Sequence, residues 1–312
     1  MEKTPFIWKN GQWIAWEEAT THVLTHTLHY GTGVFEGIRA YETEKGSAIF
    51  KARDHFERLL HSARIYEIKL SYTVDDLILA AKDLLRKNGL SSCYIRPLVY
   101  YGFREMGLNP GKNPVEVIIA AWKWGTYLGE EGLKHGVRCK ISSWTRIDGR
   151  MLPTMAKCCA NYANSALAKL EALNCGYDEA ILLNLKGTIA EGPGENIILV
   201  KDGKLCTPPL SDQILFGITC QSAIQIAKDL GYEVEFRSIT REELFLADEL
   251  FFTGTAAEIT PIREIDGRVI GSGTRGPITE RIQSQFFAIV HGKDNRYANW
   301  LDYIGNLHLT KT

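Results

Sequence analysis

Hydrophobic and polar positions along this chain follow two rhythms that replace one another several times. Phe6–Trp8 and Gln12–Ile14 flank Asn10-Gly11, two short apolar runs around a two-residue turn that predict a β-hairpin. Val34–Tyr41 and Ala48–Phe50 read as strands on either side of the Lys45-Gly46 turn. The period then lengthens. In Arg53–Tyr66 the residues Phe56, Leu59, Leu60 and Ala63 recur at helical spacing, and Val74–Leu85 repeats the pattern before closing at Asn88-Gly89. Cys93–Tyr101 and Val115–Trp122 are apolar strands joined by the Gly/Pro-rich loop Gly102–Pro114. The run Trp124-Gly-Thr-Tyr-Leu-Gly129 has the composition of a linker. Beyond it, strands are predicted at Val137–Ser142, Ala180–Asn184, Ile197–Val200 and Leu250–Thr253. Helices are predicted at Asn161–Leu173, Cys220–Leu230 and Pro277–Val290, followed by a polar end. Thr240-Arg-Glu-Glu243 is a capping box that opens a further short helix.

At 312 residues the chain exceeds one typical hydrophobic core, so two domains are expected. We place a small N-terminal domain over residues 1–122, an interdomain loop over 123–133 and a larger domain over 134–312. The 45% hydrophobic and 23% charged content is that of an ordinary globular protein. A net charge of -1 gives no electrostatic reason to expect nucleic acid or an anionic membrane surface. The apolar runs are too short to span a bilayer, and Met1-Glu-Lys-Thr-Pro lacks the apolar core of a signal peptide. Seven cysteines in no repeated spacing argue against a disulfide framework, and the cytoplasm is the expected compartment. His26 and His29 have no acidic or cysteine cluster beside them, so no metal is expected.

The candidate chemistry begins at Met151-Leu-Pro-Thr-Met-Ala-Lys157-Cys-Cys-Ala-Asn-Tyr162. Lys157 is the only charged side chain between Arg150 and Lys169. Such a setting desolvates an ammonium and lowers its pKa, which makes a nucleophile towards carbonyls; the stretch alone favours a lysine that reaches from an apolar segment to water. Arg58 lies close to the apolar face of its helix, where its fork suits a phosphate or a salt bridge. Tyr94 and Arg96 point to one side of their strand, as a carboxylate clamp or a structural pair. Glu191 and Glu195 stand among glycines, placed for acid–base work or as solvated loop charges, which the loop alone favours. Phe216-Gly-Ile-Thr219 opens a helix with amides and a hydroxyl that suit a phosphate, or is a plain N-cap. Gly254-Thr-Ala-Ala257 ends a buried strand with small residues, where amides can meet a ligand. Gly271-Ser-Gly-Thr-Arg-Gly276 matches a dinucleotide fingerprint by spacing, yet Pro277 follows at once and too little chain remains for such a domain.

In this order the segments resemble the branched-chain amino acid aminotransferases, pyridoxal-phosphate enzymes of fold type IV. The likeness runs from about Trp8 to Val290. It rests on His29-Tyr-Gly-Thr-Gly-Val-Phe-Glu-Gly-Ile-Arg39, His55-Phe-Glu-Arg58-Leu59, Tyr94-Ile-Arg96-Pro97, Ala156-Lys157 with Asn161-Tyr162, Glu191-Gly-Pro-Gly-Glu-Asn196, Gly217-Ile-Thr219 and Gly254-Thr-Ala-Ala-Glu-Ile-Thr-Pro261. The resemblance implies an α+β fold, with a small α/β N-terminal domain and a larger, β-barrel-like C-terminal domain with flanking helices. It implies pyridoxal 5′-phosphate held as a Schiff base on Lys157, with Glu191 on the pyridine nitrogen and Tyr162 on the ring oxygen. Arg58, Ile218, Thr219 and Thr255 would take the phosphate. Tyr94 and Thr255, Ala256 and Ala257 would take the substrate carboxylate, and Arg96 would accommodate acidic substrates. Phe35, Gly37, Trp124, Tyr127 and Ala257 would wall the side-chain pocket. Tyr30 and Leu108 match positions that reach in from a second subunit, which implies a homodimer at least and leaves room for a trimer of dimers. The implied reaction passes the amino group of L-leucine, L-isoleucine or L-valine to 2-oxoglutarate in ping-pong half-reactions. A D-amino acid or (R)-amine transaminase, or an aminodeoxychorismate lyase, is the alternative on the same fold. Cys158-Cys159-Ala160, Pro193 and Ile198 depart from the commoner family pattern and bear on fine specificity.

Overall fold

An eight-stranded antiparallel sheet organises the first of two units in the computed structural model, which describes residues 2–125 and 127–305. Its order is Leu301–Tyr303, Gly46–Phe50, Ile38–Thr43, Cys93–Tyr101, Val115–Trp122, Phe6–Lys9 and Gln12–Ala15, with Gly33–Phe35 also paired to Cys93–Tyr101. The helices Ala52–Ile65 and Val74–Asn88 pack on it through the periodic residues that predicted them. Phe56, Leu59, Leu77, Leu84 and Leu85 meet Ile38, Ile95, Val117 and Ile119 in one core. Burying each such side chain contributes about 1.5–3 kcal/mol. Thr73 and Asp76 form the capping box of the second helix, and Gly89 in the left-handed region stops it. This unit comprises residues 2–124, Ala156–Ala160 and 288–305.

The second unit, 125–155 and 161–287, is built on a nine-stranded mixed sheet. Its order is Ile189–Glu191, Glu179–Leu183, Val137–Ile141, Glu258–Ile265, Glu249–Gly254, Asn196–Lys201, Lys204–Thr207 and Val234–Phe236, with Arg268–Val269 paired to Glu258–Ile265. Ile181, Ile197, Leu199, Leu250, Phe252 and Ile262 share its core.

Several departures from the sequence pattern have local causes. The expected strand Val34–Tyr41 divides into Gly33–Phe35 and Ile38–Thr43. Between the two pieces Glu36 bonds to the helix Ala52–Ile65, and Gly37 passes beneath the Tyr94 hydroxyl, where a Cβ would collide with it. The stretch 123–133, expected as loop, contains the start of the helix Gly129–His135. The polar end carries a strand, Leu301–Tyr303, antiparallel to Gly46–Phe50 and too short to announce itself by periodicity. His26 and His29 tie loops together, bonding Thr32 and the carbonyl of Gly107, and the carbonyl of Val23, respectively.

The fingerprint-like glycines have packing causes. Gly271 sits at φ +50° with a Cβ barred by the Asp248 carbonyl, and a Cβ on Gly276 would strike the Glu249 carboxyl. Glu249 caps the helix Pro277–Val290, accepting from the amides of Ile278 (3.0 Å) and Thr279 (2.7 Å) and from the Thr279 hydroxyl (2.6 Å). Gly276→Ala is therefore expected to displace this cap and lower the stability by about 1–2 kcal/mol. Urea denaturation measures it; an unchanged midpoint would contradict the packing account.

Candidate active site

Lys157 lies on a short segment laid against the strand Gly33–Phe35 of the first unit. The amide of Phe35 donates to the Lys157 carbonyl (3.0 Å), and the amide of Cys159 donates to the Gly33 carbonyl (2.8 Å). From the helix Ala52–Ile65, the Ser62 hydroxyl accepts from the Lys157 amide (3.0 Å). The approach is close enough to need glycine: a Cβ on Gly31, at φ +67°, would lie 2.8 Å from that of Ala160. Lys157 is half-buried, with its amine 5.1 Å from the centre of the Phe35 ring.

The same helix presents Arg58 and His55 to Glu36, whose exposure is 0%. Arg58 donates from Nε (2.6 Å) and Nη2 (2.9 Å) to the two oxygens of Glu36, and His55 Nδ1 lies 2.8 Å from one of them. Burial alone would raise the Glu36 pKa; the Arg58 charge and the His55 contact reverse this and hold it well below the ordinary carboxylate range. Burial lowers the pKa of His55 against the pull of Glu36, which leaves the ring neutral at neutral pH. Arg58 is thus neither a surface salt bridge nor a lone cation, but half of a fork clamped by a buried acid.

On the neighbouring strand, Arg96 Nη2 donates to the Tyr94 hydroxyl (3.1 Å), and its guanidinium lies 4.8 Å from the centre of the Phe35 ring. The Tyr94 ring packs against Trp124 (5.2 Å between centres) and against Trp122 (5.3 Å), which the sequence reading left out. The first unit therefore brings Phe35, Gly37, Tyr94, Arg96, Trp124 and Lys157 into one neighbourhood, with Arg58 clamped to Glu36 beside Phe35. Tyr30 and Leu108 are exposed on the surface of this unit.

In the second unit Glu191 and Glu195 are both buried, so the solvated reading of this loop is overturned. Glu191 Oε1 lies 2.9 Å from Arg146 Nε, while Oε2 accepts from the Asn196 amide group (3.2 Å) and the Leu215 backbone amide (3.0 Å). Asn196 Oδ1 accepts from the Gly217 amide (3.0 Å), and a Cβ on Gly217 would collide with that oxygen. Gly217 caps the helix Ile218–Asp229 without any side-chain bond, so the first-turn amides beside the buried Thr219 keep the positive end of the helix dipole. Asn196 also faces Thr253 across the sheet, directly before the turn Thr255-Ala256-Ala257. Through Asn196, Glu191 is thus linked to the helix start at Gly217-Ile218-Thr219 and to the strand that leads to Thr255. Tyr162 lies in the first turn of the helix Asn161–Asn174, and exposed Tyr127 packs on Lys169, 5.3 Å from its amine.

Burial, with Glu179 next, pushes the Glu195 carboxyl up to about 8, which favours its protonated form near neutral pH. Sequence reasoning missed Glu36, His55, Ser62 and Arg146. Glu36 and His55 do stand inside the segments that carry the family resemblance, but no role was read for them there.

Residues 33–265 match the family described as amino-transferase class IV, and the chain belongs to that family. It is 48% identical, over 97% of its length and 98% of the relative's, to the branched-chain-amino-acid aminotransferase of Escherichia coli (strain K12). Its fold superposes with a TM-score of 0.95 on the crystal structure of an Escherichia coli branched-chain amino acid aminotransferase, at 48% identity and covering 97% and 100% of the two chains. A second crystal structure, of the T.th. branched-chain amino acid aminotransferase with pyridoxamine 5′-phosphate, gives a TM-score of 0.94 at 48% identity, covering 97% and 100%. The α+β fold is that of this family.

The residues fit a phosphorylated pyridine aldehyde. The first unit offers an amine held by its backbone and an arginine; the second, by itself, offers a buried carboxylate ringed by donors and a helix N-terminus without a side-chain cap. The charges also set an acid limit. The folded-state pKa of His55 lies below the ordinary 6.5 and that of Glu36 below 4.5. Both therefore stabilise the fold above those values, and the contribution is lost as pH falls through them. Glu36→Gln, which leaves Arg58 without its counter-charge, is expected to cost about 3–5 kcal/mol at pH 7. Because Glu36 raises the His55 pKa, the variant should lose stability at least as steeply as the unaltered chain between pH 6.5 and 5. Parallel urea titrations at pH 7 and pH 5 test this, and a smaller loss at pH 5 than at pH 7 would refute it.

Proposed function

We propose that this chain is a branched-chain amino acid transaminase, passing the amino group of L-leucine, L-isoleucine or L-valine to 2-oxoglutarate and using pyridoxal 5′-phosphate. The observation that carries the reading is Lys157, fixed on both flanks of its backbone beside an aromatic ring. Bound pyridoxal phosphate supplies an aldehyde open to an amine and a ring that draws electrons from the carbon losing its proton.

The chain's own residues do the rest. Lys157 holds the cofactor and carries the proton between the substrate's α-carbon and the cofactor. Glu191 pairs with the ring nitrogen, and Tyr162 donates to the ring oxygen. Arg58, the amides of Ile218 and Thr219, the Thr219 hydroxyl and Thr255 bind the phosphate, which the helix dipole favours. The Tyr94 hydroxyl and the turn Thr255-Ala256-Ala257 take the α-carboxylate. Phe35, Gly37, Trp124, Tyr127 and Ala257 surround a branched aliphatic side chain, and Arg96 answers the second carboxylate of 2-oxoglutarate. Lys157→Ala is expected to abolish turnover and the visible absorbance of the bound cofactor; full turnover in that variant would remove the lysine from the mechanism. With 2-oxoglutarate as acceptor, L-leucine should exceed D-alanine and (R)-1-phenylethylamine by about 100-fold or more in kcat/KM. The opposite ranking would favour the D-amino acid or (R)-amine alternative.

The working form is a homodimer at least, in the cytoplasm; among the described residues no helix is long and apolar enough to cross a membrane. Val23, Leu28, Phe103, Met106 and Leu108 are exposed on the first unit, Leu108 by 83%. They are held in place by His22 stacked on Phe103 (3.9 Å) and by His26 bonded to the Gly107 carbonyl (2.9 Å). Ordered apolar side chains in that number fit burial against a second copy. Leu108→Asp should shift the sedimentation coefficient towards the monomer, and an unshifted value would place the interface elsewhere.

A further inference from the structure

Arg146 is 6% exposed, the partner of a carboxylate that is itself buried. Its backbone amide donates to the Leu183 carbonyl (2.8 Å), anchoring it beside the strand Glu179–Leu183 that pairs with Ile189–Glu191. The next amide, of Ile147, donates to Asn164 Oδ1 (3.3 Å), and Asn164 Nδ2 donates back to the Thr145 carbonyl (3.0 Å). The arginine is thus placed by its main chain. Its Nε stands 2.9 Å from Glu191 Oε1, but the N–H is not aligned on that oxygen, so this contact is coulombic.

A guanidinium keeps its charge at any working pH, whereas a buried carboxylate and a pyridine nitrogen compete for one proton. A permanent cation touching the carboxylate stabilises the anion more than it repels a proton on that anion's far side. Among the described residues, Glu195 and Cys220 also interact with Glu191; burial pushes the first up to about 8 and the second up to about 11. Neither supplies the positive charge that Arg146 supplies. We propose that Arg146 is a positioning residue for transamination: it holds Glu191 ionised, so that the proton between Glu191 and the cofactor's ring nitrogen stays on the nitrogen. The inference rests on the reading of Glu191 as the ring-nitrogen partner.

The test is the ring-nitrogen signal of holoenzyme reconstituted with ¹⁵N-labelled pyridoxal phosphate, recorded by NMR for four proteins. The unaltered chain should give the protonated shift, Arg146→Met the unprotonated one, and Arg146→Lys a shift restored towards the first. Arg146→Met should also lose about tenfold or more in kcat with KM for L-leucine changed by less than about twofold, the pattern of an interaction that matters beyond ground-state binding. If Arg146→Met does not fold, Arg146→Gln, which keeps N–H groups but no charge, replaces it with the same expectation. A protonated shift in the charge-free variant overturns the inference. Glu191→Gln separates the two levels: should it leave the shift untouched, Glu191 is not the partner and the underlying reading falls first. If Glu191→Gln moves the signal and the charge-free Arg146 variant does not, only the role given to Arg146 is lost.

Discussion

The five residues Ala156–Ala160 belong with the first unit although the chain on both sides of them belongs to the second, and hydrogen bonds to Gly33, Phe35 and Ser62 hold them there. Each bond is worth only about 1 kcal/mol net. Together they fix the backbone of Lys157 from a strand on one side and a helix on the other, without engaging the amine itself. A group that must meet a reacting carbon depends on placement of this kind, because an error of about 1 Å can cost about a hundredfold in rate. The remaining features of the first unit follow from making that seam possible: the glycines at 31 and 33, the broken strand at Glu36-Gly37, and the inward face of the helix Ala52–Ile65.

Buried charge is handled with equal economy. Glu36, Glu179 and Glu191 each face a cation, from Arg58, Lys169 and Arg146. Such pairs contribute little to net stability, since desolvation roughly cancels their attraction. What they retain is direction. Arg58 has its Nε edge fixed by a carboxylate that cannot reorient, and Glu191 meets a guanidinium on one oxygen and two N–H groups on the other. Glu195 is handled the opposite way: it accepts from the Gly194 amide and keeps its proton. Two acids four residues apart therefore meet different surroundings, a guanidinium at Glu191 and a second buried acid, Glu179, near Glu195.

Much of this was legible in the sequence, but unevenly. The helices Ala52–Ile65 and Val74–Asn88 follow directly from apolar spacing and capping residues, because local rules decide them. The lysine, the helix-opening Gly217-Ile-Thr219 and the turn Thr255-Ala256-Ala257 were visible because small residues around a reactive group are unusual. Arg146 and His55 were not, because their importance lies in what they touch, and those contacts come from residues 45 and 19 positions away. The burial of Glu191 was misjudged for the same reason: glycines around an acid look like a solvated loop until Arg146, Asn196 and Leu215 close over it. The strand Leu301–Tyr303 escaped notice because three residues cannot establish a period.

The tightness of the seam also bears on how this protein could be altered. A Cβ on Gly31 would lie 2.8 Å from that of Ala160, and one on Gly33 would lie 3.1 Å from the Cys159 sulfur as well as 2.9 Å from the Thr27 methyl, so volume on one side constrains volume on the other. Residues 31–33 and 158–160 therefore form a single mutational variable. Libraries that diversify either side alone would score most changes as failures, whereas paired libraries could reach combinations whose effects are far from additive.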